Sequence, residues 1–401
     1  MKVLQINCVY NSGSTGKITA VLHHELKKRG IESKVCFGRG EISNEVDVSK
    51  TCSELSSKCY HFISRLTGVM YGSCLYSTYK LIKIIKNENP DVVHLQCING
   101  YFVNIYRLLK YLKQKKIATV LTLHAEFMYT GGCGYALDCE KWKNIPGCGN
   151  CPVCRQETES LFFDGTRKMW KKMYRSFNGF TKLKIVSVSP WLSSRAKKSS
   201  ILCDKEHAVI YNGVDVSVFH NYPRKIKKRK IVFHASPYFN DNFDHIKGGY
   251  YVLELAKRMP EVQFVVAGTY FVKNTIPQNV TLLGKITNQE SLARWYSNAD
   301  VTLLTSKRET FSMICAESLC CGTPVVGFKA GAPEQIAIEC YSEFVDYGNL
   351  DKLEKTVREW LNKEKNEQIA IDAKARYSKE IMTQRYIEVY EGLVRGSENE
   401  R

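Results

Sequence analysis

Nowhere in the 401 residues do about 18 apolar side chains follow one another without interruption, so an ordinary membrane-spanning helix is not expected. The nearest stretch, Tyr60 to Ile85, is broken by Arg65, Gly68, Gly72 and Lys80, and reads as buried helix or as a segment lying at a membrane surface. No short internal repeat, low-complexity run or nucleic-acid-binding module is present, so a nucleic-acid partner is not expected. The chain opens directly on a strand-like run instead of a leader, so no secretory signal is expected. Acidic residues are scarce early: the first 190 residues hold 28 Lys and Arg against 14 Asp and Glu, most of the net charge of +18. That excess suits an anionic membrane surface or an acidic substrate. Within it, Tyr101 to Ala118 sets Phe102, Ile105, Leu108, Leu109 and Leu112 on one face of a helix with lysines largely elsewhere, a pattern that fits either anionic lipid or a core-facing helix.

The glycine-rich stretch NSGSTGKITAVLHHELKKRG, residues 11–30, also lacks something. A nucleotide-triphosphate loop needs a glycine where Asn11 stands and a hydroxyl where Ile18 stands; Thr19 comes one residue too late to ligate magnesium. What remains is a strand, a Ser/Gly turn and an amphipathic helix, a geometry that points amides at an anion or simply makes a tight turn.

Sixteen cysteines without an export signal indicate a reducing, cytoplasmic compartment and argue against a disulfide framework. Five of them, Cys133, Cys139, Cys148, Cys151 and Cys154, fall within 22 residues and contain two overlapping C-x-x-C pairs. Cys133, Cys139, Cys148 and Cys151 could supply four thiolates to a structural zinc; the alternatives are unbound thiols or a redox or iron–sulfur role.

Short β-branched runs alternate with amphipathic segments from end to end. KVLQINCV, SKVCFG, DVVHLQC, ATVLTLH and LKIVSVS form one series, and KIVFHAS, QFVVAGT, VTLLG, DVTLLTS and TPVVGF a second. A polar, basic connection from His220 to Lys230 separates them. The pattern predicts an α/β chain of two doubly wound, Rossmann-like domains, with ligands bound in a crevice outside the carboxyl ends of the strands.

The densest chemistry lies in LLTSKRETFSMICAESLCCGTPVVGFKAGAPEQI, residues 303–336. Glu309 precedes a helix predicted to start near Phe311, and Glu317 lies within it. A carboxylate at Glu317 can accept hydrogen bonds from vicinal hydroxyls such as a ribose presents. Glu309, beside the amides of Phe311 and Ser312, can grip sugar hydroxyls while those amides face phosphate.

This segment resembles the E-x7-E region of retaining glycosyltransferases of the group-1, or family-four, type, which have the GT-B fold. The resemblance extends over most of the chain through NSGSTGK, VLTLHAEFMYTGGCGY, VIYNGVDVSVF, HIKGG and GAPE, in that order. It implies residues 1–211 as an acceptor-side domain with a Cys-rich loop at 131–154. It further implies 212–375 as a nucleotide-sugar domain and 376–401 as a helical segment crossing back. Lys247, before Gly248 and Gly249, would hold the diphosphate of a nucleotide sugar; Glu317 would bind ribose and Glu309 the transferred sugar. His124 would line the acceptor side, and Gly13 and Gly16 would let amides approach donor or acceptor, with Lys17 as an anion contact or an ordinary helix-start residue. Asn212 and Asp215 would shape the interdomain crossing. Two positions depart from the family pattern. Asp241 stands where many relatives carry a phosphate-binding arginine, leaving Lys307 or Arg308 as substitutes, and Ala125 followed by Glu126 stands where relatives carry an aspartate.

The implied activity is metal-independent, retaining transfer of a hexose from a nucleoside-diphosphate sugar to a lipid-linked saccharide, in capsule, exopolysaccharide or O-antigen synthesis. The enzyme would lie peripherally on the inner membrane face, with no cofactor needed for catalysis. A nucleotide-sugar epimerase of the same fold and a non-catalytic glycan- or lipid-binding module are the alternatives.

Overall fold

The computed structural model describes residues 1–224 and 228–398. The centre of the basic connection, 225–227, and the last three residues of GSENER, read as frayed, lie outside the described residues. The chain divides into two compact units, one of Met1–Ile210 with the chain from Met382 onward, the other Tyr211–Ile381.

The first unit is built on seven parallel strands: β1 (Lys2–Val9), β2 (Glu32–Arg39), β3 (Val48–Lys50), β4 (Val92–Leu95), β5 (Ala118–Leu123), β6 (Leu183–Ser187) and β7 (Glu206–Val209). Their order is β3-β2-β1-β4-β5-β6-β7, so the winding direction reverses between β1 and β4. β4 and β5 are buried at every position, which is why they read as near-continuous apolar runs: a parallel sheet is covered on both faces. A layer of polar side chains crosses this core. His94 on β4 bonds Tyr390 OH at 2.7 Å and Thr122 Oγ1 at 2.8 Å, and Thr122 bonds Tyr386 OH at 2.9 Å. Both tyrosines sit on the last helix, Lys379–Glu398, so its residues from Met382 onward are fastened to this sheet by hydrogen bonds as well as by burial. Burial, and secondarily the neighbouring His124, lowers His94 to about 3 and keeps it neutral.

Two surface expectations resolve differently. The helix Ile105–Gln114 buries Ile105, Leu108, Leu109 and Leu112 completely, so its apolar face belongs to the core and is not available to lipid. The stretch from Tyr60 to Ile85 is not one buried helix. It holds the end of the helix Glu54–Thr67 and most of Leu75–Glu88, parted at Gly68, whose φ of 67° and 2.5 Å approach of a notional Cβ to Phe163 O exclude any other residue. Leu55, Phe62, Ile63 and Leu66 on the first helix and Tyr76 and Tyr79 on the second are exposed. The loop carrying exposed Phe162 and Phe163 is tied to the first helix by Leu161 N–H to Arg65 O (2.9 Å).

The second unit repeats the architecture with β8 (Ile231–Asn240), β9 (Gln263–Phe271), β10 (Val280–Gly284), β11 (Val301–Leu304), β12 (Val325–Phe328) and β13 (Ser342–Val345). The order is β10-β9-β8-β11-β12-β13, all parallel, with the reversal between β8 and β11. Its core gathers Val232, Phe264, Val301, Val326 and Leu353. Asp215 bonds Lys379 Nζ at 2.7 Å and Val214 N–H bonds Tyr377 O at 2.7 Å, which ties the first residues of this unit to its last. Asn212 is buried beside them in sequence.

Candidate active site

The winding reversal of the second sheet brings two candidate residues together. Lys247 lies in the turn after β8 and Glu309 in the turn after β11, and Lys247 Nζ donates to Glu309 Oε1 at 2.7 Å. The contact is partly open, with side chains 24% and 12% exposed, just past the carboxyl ends of the two strands.

The backbone around the pair is laced. Gly248 has φ 65° and packs so closely that a Cβ would stand 2.1 Å from Thr305 O, so only glycine can follow Lys247. Thr305 Oγ1 donates to Lys247 O (3.1 Å) and Lys307 N–H to Ile246 O (2.8 Å). On the other side, Glu309 N–H donates to Ala330 O (2.9 Å) and Ala332 N–H to Glu309 O (3.3 Å). Glu334 holds that turn by accepting from the amides of Ala330 (3.0 Å) and Gly331 (2.9 Å). Its positioning role was not read from the sequence, although the GAPE signature contains it.

The helix after Glu309 begins at Met313, two residues beyond Phe311, because Ser312 is its cap and accepts from Cys315 N–H. Ser312 has φ 80°, a conformation that costs a non-glycine residue on the order of 1–3 kcal/mol and concentrates at functional sites. Phe311 is buried and packs its ring 5.8 Å from that of Tyr211. Glu317 Oε2 accepts from Tyr296 OH at 3.3 Å. Burial first, and the Glu317 charge second, push the Tyr296 hydroxyl far above its usual range, so it stays a donor.

The remaining positions sort by what they touch. Lys307 is exposed, its Nζ 5.9 Å from the Tyr347 ring centroid, and Arg308 is half-buried. Asp241 is buried and accepts from Lys273 N–H (2.9 Å), Asn274 N–H (2.8 Å) and Asn274 Nδ2 (2.7 Å). It therefore holds the loop after β9. His234 on β8, hidden in a run that reads only as strand, bonds Leu303 O at 3.0 Å. Burial lowers it to about 4, the Leu303 bond opposes this, and the charge of Lys247 adds to the lowering.

On the first unit, His124 follows β5 and its Nε2 lies 2.9 Å from Gln96 Oε1, while Gln96 Nε2 donates to Gln5 Oε1 at 3.3 Å. Burial lowers His124 to about 4, so the imidazole is neutral at physiological pH and serves as a hydrogen-bonding group. Glu126 is fully buried, paired with Arg195 Nε at 2.5 Å, and accepts from Tyr129 OH and the amide of Ala136. Gly13 starts its helix at φ 62° with open space around it; Gly16 instead lets the helix close on β1, since a Cβ would lie 3.0 Å from Val9 Cγ2 and 3.2 Å from Val9 O. Lys17 is exposed. Cys133, Cys139, Cys148 and Cys151 line one small cavity of this unit.

Known proteins share this architecture. HepE of Anabaena, solved in complex with UDP, superposes with a TM-score of 0.64 at 16% identity, covering 98% of this chain and all of that one. Sucrose-phosphate synthase of Thermosynechococcus elongatus superposes with a TM-score of 0.66 at 14% identity, covering 99% and 100%. Among curated sequences, WcaC of Escherichia coli K12, named for a role as a colanic acid biosynthesis glycosyl transferase, is 20% identical over 84% of this chain and 85% of its own. A 41.2 kDa protein of the cps region of Klebsiella pneumoniae is 23% identical over 87% and 93%. The pattern of Glycosyltransferase Family 4 matches residues 16–218, and that of Glycosyl transferases group 1 matches residues 226–376. With more than half of the chain in the first match and most of the remainder in the second, the protein belongs to the group-1, family-4 glycosyltransferases.

Proposed function

We propose that the protein transfers a hexose from a nucleoside-diphosphate sugar to a hydroxyl of a lipid-linked saccharide, with retention of anomeric configuration, in the assembly of a capsular or secreted polysaccharide. The observation that carries the donor assignment is the Lys247–Glu309 contact at the reversal between β8 and β11. The bond from the sugar C1 to the diphosphate oxygen breaks while the acceptor oxygen forms its bond to C1 on the same face. The acceptor proton passes to the departing phosphate oxygen, so no enzymic nucleophile is needed. Lys247 stabilises the charge growing on the diphosphate, Glu309 orients the sugar hydroxyls, and Glu317, held by Tyr296, binds the ribose. His124 meets the acceptor as a neutral donor or acceptor of hydrogen bonds. Lys307 and Arg308 supply positive charge where Asp241 does not. The polysaccharide context is drawn from the names of the WcaC and cps-region relatives, and the nucleotide from the UDP complex of HepE.

A lipid-linked acceptor and peripheral membrane attachment are favoured by the exposed Phe62, Ile63, Leu66, Phe162 and Phe163, grouped by the Leu161–Arg65 bond on the strongly basic first unit. Among the described residues no helix is long and apolar enough to cross a membrane. The deciding assay is release of nucleoside diphosphate from UDP- and GDP-sugars. Release that depends on a membrane-extracted acceptor, unchanged by added magnesium or manganese, supports transfer. Turnover of the sugar nucleotide without acceptor points to the epimerase, and no turnover under any condition to a binding module.

A further inference from the structure

The stretch from β5 to the next helix poses a packing problem. Residues 124–153, between Leu123 and Cys154, contain no helix or strand, and runs of that length without regular structure are uncommon in a compact domain. This one nevertheless carries fully buried Tyr129 and Trp142 into the core, with Trp142 Nε1 bonded to Cys139 O (2.7 Å) and Trp170 Nε1 to Trp142 O (2.9 Å).

We propose that Cys133, Cys139, Cys148 and Cys151 bind a structural zinc ion that cross-links this segment. All four line a single cavity of about 20 Å³, together with Gly131 and Trp142. That is room for roughly one small sphere. Of the two overlapping C-x-x-C pairs, the structure selects one. Cys148 and Cys151 face the cavity, whereas Cys154 does not line it and lies 3.4 Å from Thr158 Oγ1. The turn between the selected pair passes through Gly149 (φ 140°) and Asn150 (φ 48°), and Lys141 Nζ pins it by donating to Asn150 O at 2.7 Å. A backbone amide is aimed at one of these sulfurs: Gly131 N–H donates to Cys148 Sγ (3.2 Å). An amide-to-sulfur bond favours thiolate over thiol.

Four soft thiolates select zinc over hard cations and leave no open coordination position, so the ion would take no part in chemistry. The sulfurs stand wider than a bound metal holds them. Among the described residues, the one group of three potential ligand atoms lying mutually within 4.8 Å is His23, His24 and Glu45, whereas zinc–thiolate geometry needs sulfurs about 3.8 Å apart. Metal binding therefore contracts the loop around the cavity.

The test is metal analysis of protein purified without chelator or histidine tag, with cobalt substitution as a second readout. About one zinc per chain is expected, abolished in Cys148→Ser and Cys139→Ser but retained in Cys154→Ser and in the double variant His23→Ala/His24→Ala. Cobalt in the wild-type chain should give intense thiolate-to-cobalt charge-transfer bands. These need no variant, so misfolding of a serine variant leaves the test intact. Metal-free wild-type protein in which Cys133, Cys139, Cys148 and Cys151 are all alkylated, or zinc lost from the histidine variant and kept in Cys148→Ser, overturns the proposal. So does a cobalt spectrum without thiolate bands.

Discussion

Lys247 Nζ and Glu309 Oε1 lie 2.7 Å apart although 62 positions separate them in the chain, and each is fixed by a backbone turn at the end of its own strand. A cation and a carboxylate held this way suit a substrate carrying both a diphosphate and sugar hydroxyls. Lys247→Ala and Glu309→Gln are expected to lower kcat by about 10²–10³, the loss typical of removing one preorganised stabilising group, without loss of secondary structure. Steady-state kinetics alongside circular dichroism checks this; folded variants with wild-type kcat would remove both residues from the site.

Gly248 and Gly13 make a matched pair for the backbone claim. Both have positive φ, but a Cβ on Gly248 would stand 2.1 Å from Thr305 O, whereas nothing lies within 4 Å of one on Gly13. Gly248→Ala should cost about 2 kcal/mol or more and raise the donor KM by displacing Lys247, whereas Gly13→Ala should cost about 1 kcal/mol. Thermal unfolding of the two variants gives the comparison, and equal shifts in Tm would contradict it.

The exposed aromatic group predicts lipid binding. Phe162→Ser combined with Phe163→Ser should reduce co-sedimentation with vesicles containing anionic phosphatidylglycerol at least tenfold. Turnover on a short, water-soluble acceptor should be unchanged, since neither residue belongs to the proposed site. Undiminished sedimentation would place the membrane contact elsewhere.

Acid sensitivity follows from the buried histidines. His94 is held at about 3, and His23, His124 and His234 at about 4, burial being the largest cause in each, against an ordinary value of 6.5. Because the folded values are depressed, the unfolded chain takes up protons first as pH falls. Stability is therefore complete above pH 6.5 and declines from there toward pH 4, by at most about 1.4 kcal/mol per pH unit for each group. Unfolding curves between pH 7.5 and 4.5 should show the decline, flatter in His94→Gln; identical slopes would refute this assignment.

The sequence carries the strands that are long, apolar and β-branched, because burial on both faces of a parallel sheet writes itself as a continuous run. Val48–Lys50, Glu206–Val209 and Ser342–Val345 escape it: they are three or four residues long, polar in part, and each lies at an edge of its sheet. Lys247 and Glu309 are legible because each stands beside a glycine turn or a helix start with its own local signature. What Asp241, Glu126 and Gly16 touch is not legible in the sequence, for the opposite reason. What each does is set by a partner remote in sequence or packed from outside the motif: the loop at Lys273–Asn274, Arg195, and Val9 on the preceding strand. Cys154, left out of the four ligands expected from the sequence, also lies outside the cavity in the fold.

Calorimetric titration of the wild-type protein, Lys247→Ala and Glu317→Ala with UDP and GDP tests the central claim most directly. One nucleotide should bind the wild type, and each variant should bind it at least tenfold more weakly. Equal affinity in all three proteins would show that the second unit's strand-end site does not hold the donor.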